Sequence, residues 1–230
     1  MSDYYLAILQ GSLLTVGVSL ASLAVATLLG LLGAAAKLSG SRPLVWLAQL
    51  YTTVVRGVPE LLMMLLIFYG GAIGLNHLLE LWGNQEGVDL DPFVAGVLTI
   101  GFIYGAYMTE TFRGAFLTVD RGQTEAAQAY GMRPWTVFRR VMLPQMLSFA
   151  IPGINNNWLG LMKASALVSI LGLEDMVWLA EQAGRATQKP FLFYFLVSLI
   201  YMVITALSSW LFSRLAKRYA LRSSTAGTAL

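Results

Sequence analysis

Leu13 to Ala36 reads LLTVGVSLASLAVATLLGLLGAAA, a run without a single ionisable side chain. As a helix it would extend about 36 Å, enough to cross a hydrocarbon core of roughly 30 Å. Similar apolar stretches recur along all 230 residues, and the chain is 57% hydrophobic and only 12% charged. A soluble domain carries roughly twice that charge, and one soluble core could not bury so many long runs. A bilayer solvates them directly, provided each satisfies its backbone internally as a helix. The chain therefore reads as an all-α, polytopic membrane protein.

Five spans are expected. The first is Leu13–Ala36, ending before Lys37 and Arg42. Its many small residues suit close helix packing. Trp46 to Tyr51 reads as an amphipathic approach at the interface. Span two, Leu61–Leu79, follows Pro59, which fits a first helical turn, and Glu60, which the helix dipole favours there. Span three is Phe93–Thr111, span four starts near Met146 and reaches Leu161 or beyond, and span five is Phe191–Phe212. Ala164–Gly172 either continues span four or re-enters the membrane. The acidic N-terminal flank does not fit a secretory signal peptide, so the first run is expected to be retained.

Lysine and arginine set the orientation. With the N-terminus outside, the cytosolic ends receive Lys37, Arg42 and Arg56, then Arg113, Arg121, Arg133, Arg139 and Arg140, then Arg214, Lys217, Arg218 and Arg222. The base-free Glu80–Asp91 connection then lies outside. This N-out/C-in arrangement makes residues 1–222 one transmembrane domain, with a flexible tail at 223–230 and a cytosolic loop at about 113–144. No cysteine is present and His77 is the sole histidine, which excludes disulfides, thiol catalysis and multi-histidine metal sites. No catalytic residue, bound metal or nucleic-acid partner is expected.

The cytosolic loop has its own grammar. Glu125, Ala126 and Ala127 sit in a short helical stretch that Gly131 can stop. Pro134 can open a second short helix through Trp135, Phe138 and Val141, and Pro144 marks the start of span four. Two short helices meeting at a glycine make a stiff knob that can pass force to the spans. The spacing Glu-Ala-Ala, Gly131, Leu143-Pro144 resembles the signature loop of bacterial importer permeases of the ATP-binding-cassette (ABC) class. Arg56-Gly57-Val58-Pro59 resembles the motif opening span two in their polar amino-acid family. Gly101–Tyr107 (GFIYGAY), Pro152–Trp158 (PGINNNW) and Lys163–Asp175 (KASALVSILGLED) resemble the histidine/lysine/arginine/ornithine branch, Q-type subunits, with relatives importing arginine or opines.

That resemblance implies an ABC importer permease fold in the bacterial inner (cytoplasmic) membrane. It implies a second permease subunit, a sister chain or the same chain, two cytosolic ABC ATPases carrying ATP and Mg, and an extracytoplasmic substrate-binding protein. Glu125, Ala126, Ala127 and Gly131 would couple to the ATPase. This chain has no phosphate-binding glycine loop with Lys-Ser/Thr, so it is a transport subunit and not an enzyme. Ionisable and amide groups at membrane depth point to the path. Glu110, Glu60, Tyr107, Asn155 and Asn157 are the candidates for the translocation path or substrate contact. Glu110 also stands three residues from Arg113 and can pair with it. Arg56, Gly57, Pro59 and Pro144 are structural. A different reading of the same loop is a membrane scaffold recruiting some other cytosolic protein.

Overall fold

The computed structural model describes residues 2–82 and 91–219. Among them all regular structure is helical: α1 (Ser2–Leu38), α2 (Arg42–Gly57), α3 (Glu60–Leu81), α4 (Pro92–Thr118), α5 (Arg121–Ala129), α6 (Pro134–Val137), α7 (Leu143–Ser165), α8 (Met176–Thr187) and α9 (Pro190–Tyr219). A π-helical turn at Phe138–Met142 joins α6 to α7, and a 3-10 stretch at Ala166–Leu171 extends α7. Four helices, α1, α3, α4 and α9, are long and apolar enough to cross a membrane. Helix α7 has the length, but Asn155, Asn156, Asn157 and Lys163 make it the polar one.

The core is the pairing of α1 with α4. Small residues on both let the backbones approach closely, so a Cβ at Gly30 would stand 3.0 Å from the backbone carbonyl carbon of Met108. At Gly101 a Cβ would meet the Val25 Cγ1 at 2.6 Å. These contacts advance together along both helices, so α1 and α4 run parallel. Asn157 of α7 bonds Thr111 of α4, while Val168 beyond α7 packs at Gly96, so α7 runs the other way. Helix α9 begins beside the start of α1, where the Phe193 ring lies 5.8 Å from that of Tyr5.

Several boundaries differ from the sequence reading. Helix α1 begins a good ten residues before Leu13, and α9 continues to Tyr219. Helix α4 runs to Thr118, so Arg113 belongs to a helix and not to the loop that follows. Pro59 caps α3 from just outside, and Glu60 is the first helical residue. Pro144 stands in the first turn of α7, as the sequence reading expected, but no break precedes it. Pro134 to Leu171 is one continuous rod, and the π turn explains how it tolerates the proline: Leu143 N–H reaches back five residues to the Phe138 carbonyl, widening the turn before a residue that can donate nothing. Ala164–Gly172 continues span four and ends at Gly172, φ +96°. Most of the Glu80–Asp91 connection (residues 83–90) and the 223–230 tail lie outside the described residues.

The larger correction concerns α2. The sequence reading laid Trp46–Tyr51 along the interface and placed Arg56 at a membrane end. Instead α2 climbs beside α4: the Tyr51 hydroxyl donates to the Phe102 carbonyl at 2.6 Å, and the Arg56 guanidinium lies over the Tyr107 ring at 5.3 Å. Both Phe102 and Tyr107 belong to the central third of α4. Helices α2 and α3 are thus two limbs of one broken helix, interrupted at Val58 and Pro59, both extended. Such breaks at depth persist where the backbone faces protein or a cavity.

At the opposite end α8 is pinned to α1. The Asp175 carboxylate accepts from the Val177 and Trp178 amides at 3.0 Å each and from the Thr15 hydroxyl at 3.4 Å. Asp175 is 1% exposed, and burial pushes its carboxyl up to about 6, against the pull of those amides and of Thr15. The unfolded chain ionises it near 3.8. The folded state therefore holds the proton more tightly, and stability falls as pH rises from about 4 to about 6, then levels. Asp175→Asn keeps an acceptor for the cap without the charge. Thermal melts of purified protein across that window should show a flatter pH dependence in the variant; an unchanged slope would refute this.

Candidate functional site: a polar wall and a helical elbow

The break in α2–α3 faces two cavities that share Tyr107. One, of about 360 Å³, is lined by Gln49, Thr52, Thr53, Arg56, Gly57, Tyr107 and Glu110. The four α2 side chains recur at i, i+3, i+4 and i+7, a single polar stripe turned towards α4. The second, of about 260 Å³, is lined by Glu60, Tyr104, Tyr107, Asn156, Asn157, Leu159, Gly160 and Lys163. Tyr104 and Tyr107 lie 5.5 Å apart between ring centroids, and the Tyr104 hydroxyl donates to Glu60 at 3.1 Å.

Glu110 is held from two sides. Lys37, at the end of α1, forms an ion pair with it. Arg113 stands 3.7 Å away on the same helix face, as its spacing implied. The Lys37 ammonium spends its other two donors on Gln49 at 2.8 Å and Thr52 at 2.7 Å. Its side chain is 3% exposed, so this cation is removed from solvent with every donor met. The sequence reading treated Lys37 only as a topology marker. The polar stripe on α2 is visible in the sequence, but its spacing alone does not say that a buried partner faces it.

Of the other path candidates, Asn157 is buried and donates to Thr111 at 2.9 Å. Asn155 does not line either cavity, and its Oδ1 is buried with no hydrogen-bond partner among the described residues. Asn156 takes its place on the wall.

The elbow is built from α5 and the foot of the rod. Asp120 caps α5 by accepting from Gly122 N–H at 2.7 Å. At the other end Gly131 N–H donates to Gln128 and Met132 N–H to Ala127, at 2.8 and 3.2 Å. This paired closure requires a left-handed residue, and Gly131 has φ +78°. Glu125 and Ala126 face outward, whereas Ala127 is buried and seats α5 against the body. Ala127, one of the residues that the resemblance assigned to coupling, is therefore turned inward. Tyr130 and Trp135 are instead the large exposed side chains of the elbow, at 88% and 69%. The sequence reading passed over Tyr130, since an aromatic beside a stop glycine carries no periodic signal.

Membrane-length helices around a polar wall, with a capped elbow projecting from one end, define a transport permease. Residues 26–221 match the family described as binding-protein-dependent transport system inner membrane component, and the chain belongs to that family. It is homologous to Q-type permease subunits of ABC importers and is a multi-pass protein of the bacterial inner membrane. The histidine/lysine/arginine/ornithine transport system permease protein HisQ of Salmonella typhimurium is 50% identical over 212 residues, covering 92% of each chain. The octopine permease OccQ of Rhizobium radiobacter is 37% identical over 93% of this chain and 90% of that one. A crystal structure of an amino acid ABC transporter with histidines superposes at a TM-score of 0.79 with 30% identity, covering 95% of this chain and 96% of that one.

Proposed function

We propose that this chain forms half of the translocation path of an ATP-driven importer of basic amino acids. The 50% identity to a histidine/lysine/arginine/ornithine permease carries the cargo class. The cavities beside Glu60, Tyr107, Glu110 and Asn157 support a polar path. Residues 1–222 act as one permease domain that crosses the membrane five times, α2–α3 and α7 included, with the N-terminus outside and the C-terminus in the cytosol. The opposed directions of α4 and α7 and the basic residues after α9 agree with this.

A second permease subunit completes the path, and an extracytoplasmic binding protein delivers cargo. Two cytosolic ATPases bind and hydrolyse ATP with Mg and grip the elbow. Glu125 and Ala126 meet the ATPase, Ala127 and Gly131 hold the elbow's shape, and nucleotide shifts the pair between inward-open and outward-open states. Arg56, Gly57 and Pro59 shape the break, and Pro144 the widened turn. Opines are the second cargo reading, favoured by the octopine relative.

Purification of the chain should bring down ATPase subunits. In proteoliposomes, the loaded binding protein should raise hydrolysis and drive uptake of arginine, histidine, lysine or ornithine above that of neutral amino acids. A complex without a nucleotide-hydrolysing subunit would refute the importer. Uptake of opines alone would move the cargo to the second reading.

A further inference from the structure

The seam between α1 and α9 holds a groove of about 350 Å³, with the buried Trp158 of α7 at its floor. It lies away from the polar wall. Asn156, Gly160 and Lys163 face the wall at i, i+4 and i+7, and Trp158 is turned about 160° from Asn156. Leu20 and Leu23 of α1 form one side of the groove, Leu207 and Leu211 of α9 the other. Leu20, Leu207 and Leu211 are exposed, so the groove opens on the surface that two membrane-length helices turn outward. The Ser208 hydroxyl donates back to the Ile204 carbonyl at 2.7 Å, which leaves carbon to meet an occupant. On α9 the lining runs from Val203 to Phe212, about 14 Å along the axis. That is close to half of a hydrocarbon core of roughly 30 Å.

The groove ends in charge of one sign. Arg214 continues the row of Leu207 and Leu211 at i+7 and i+3, and Arg218 continues it at i+7 from Leu211. Lys217 stands in the turn between them. All three are exposed, and none has a carboxylate within 4.0 Å among the described residues. The Arg214 guanidinium stacks on the Trp210 ring at 3.8 Å, an arrangement suited to the headgroup level.

We infer that this groove binds an anionic phospholipid, with one acyl chain along the α1–α9 seam and the headgroup phosphate on Arg214 and Arg218. The length of the apolar lining matches one leaflet, and the bases at its foot select negative headgroups. A second permease subunit is a poor occupant, because it completes the path at the wall, on the opposite face of α7. In the orientation proposed above the lipid belongs to the cytosolic leaflet. The inference itself needs only that α1 and α9 cross the membrane, and it is independent of the cargo.

The test is native mass spectrometry of the delipidated permease complex, titrated with phosphatidylglycerol or phosphatidylethanolamine of identical chains. A base near the headgroups is worth about fivefold, so two should make phosphatidylglycerol bind about thirtyfold more tightly. Arg214→Gln/Arg218→Gln should remove that advantage. Leu207→Trp, which fills the groove, should weaken both lipids alike and keep their ratio. Arg139→Gln/Arg140→Gln removes equally exposed bases outside the seam and should change neither. A phosphatidylglycerol with a diazirine midway along one chain should label α1 near Leu20 and α9 near Leu207.

Equal affinity for the two lipids would overturn the inference. So would a preference lost in the Arg139/Arg140 variant and kept in the Arg214/Arg218 variant, which would reduce the effect to diffuse attraction. Label confined to other helices, or a disulfide joining Leu207→Cys of one permease subunit to its neighbour, would give the groove a different occupant and overturn it as well.

Discussion

Gly131→Val should abolish most transport while leaving the protein inserted and paired. The position has φ +78°, and its neighbours close α5 with bonds from the Gly131 and Met132 amides. A β-branched residue is held in the left-handed region only at a cost of about 1–3 kcal/mol. Nothing lies within 4 Å of where its Cβ would stand, so relief comes from unwinding the corner and not from a clash. Once the corner unwinds, Glu125 and Tyr130 no longer present one surface. Uptake in proteoliposomes should fall at least about tenfold, since 1.4 kcal/mol is a factor of ten when docking geometry sets the rate. Gly131→Asn, which tolerates this backbone, should retain most uptake. Wild-type uptake by the valine variant would remove the elbow from the coupling route.

Glu110→Ala should be among the most destabilising single changes at the polar wall, and more so than Lys37→Met. The asymmetry follows from exposure. Removing Glu110 strands the Lys37 ammonium, 3% exposed, with two neutral acceptors, and an orphaned buried charge costs roughly 3–5 kcal/mol. Removing Lys37 strands a carboxylate that is 26% exposed and still has Arg113 at 3.7 Å. Lys37→Met/Glu110→Gln should recover most of the loss, because it removes both charges together. Melting temperatures of the detergent-solubilised complex would rank the three. Equal losses from the two single variants would mean that the pair is not desolvated in the assembled protein.

The apolar runs announced α1, α3, α4 and α9, because a helix solvated by lipid has to show its character in its own composition. The elbow was legible for a different reason: the stop at Gly131 and the helix start at Pro134 are local chemistry, complete within a few positions. What escaped was non-local. Gln49, Thr52 and Arg56 make α2 look amphipathic, and periodicity cannot tell a polar face turned to water from one turned to Lys37 and Glu110. For the same reason α2 was laid at the interface when it climbs beside α4. Pro144 does stand in the first turn of α7, but the π turn that joins α7 to α6 without a break has no composition of its own. Three consecutive asparagines marked the right segment of α7, but only the packed helix separates Asn156 and Asn157 from Asn155.

The run from Pro134 to Leu171 stays helical through a π turn, the internal Pro152 and a 3-10 end. In the proposed importer, a push on its foot would therefore be carried to its far tip along one element, where a chain strung on hinged loops would let the two ends move apart.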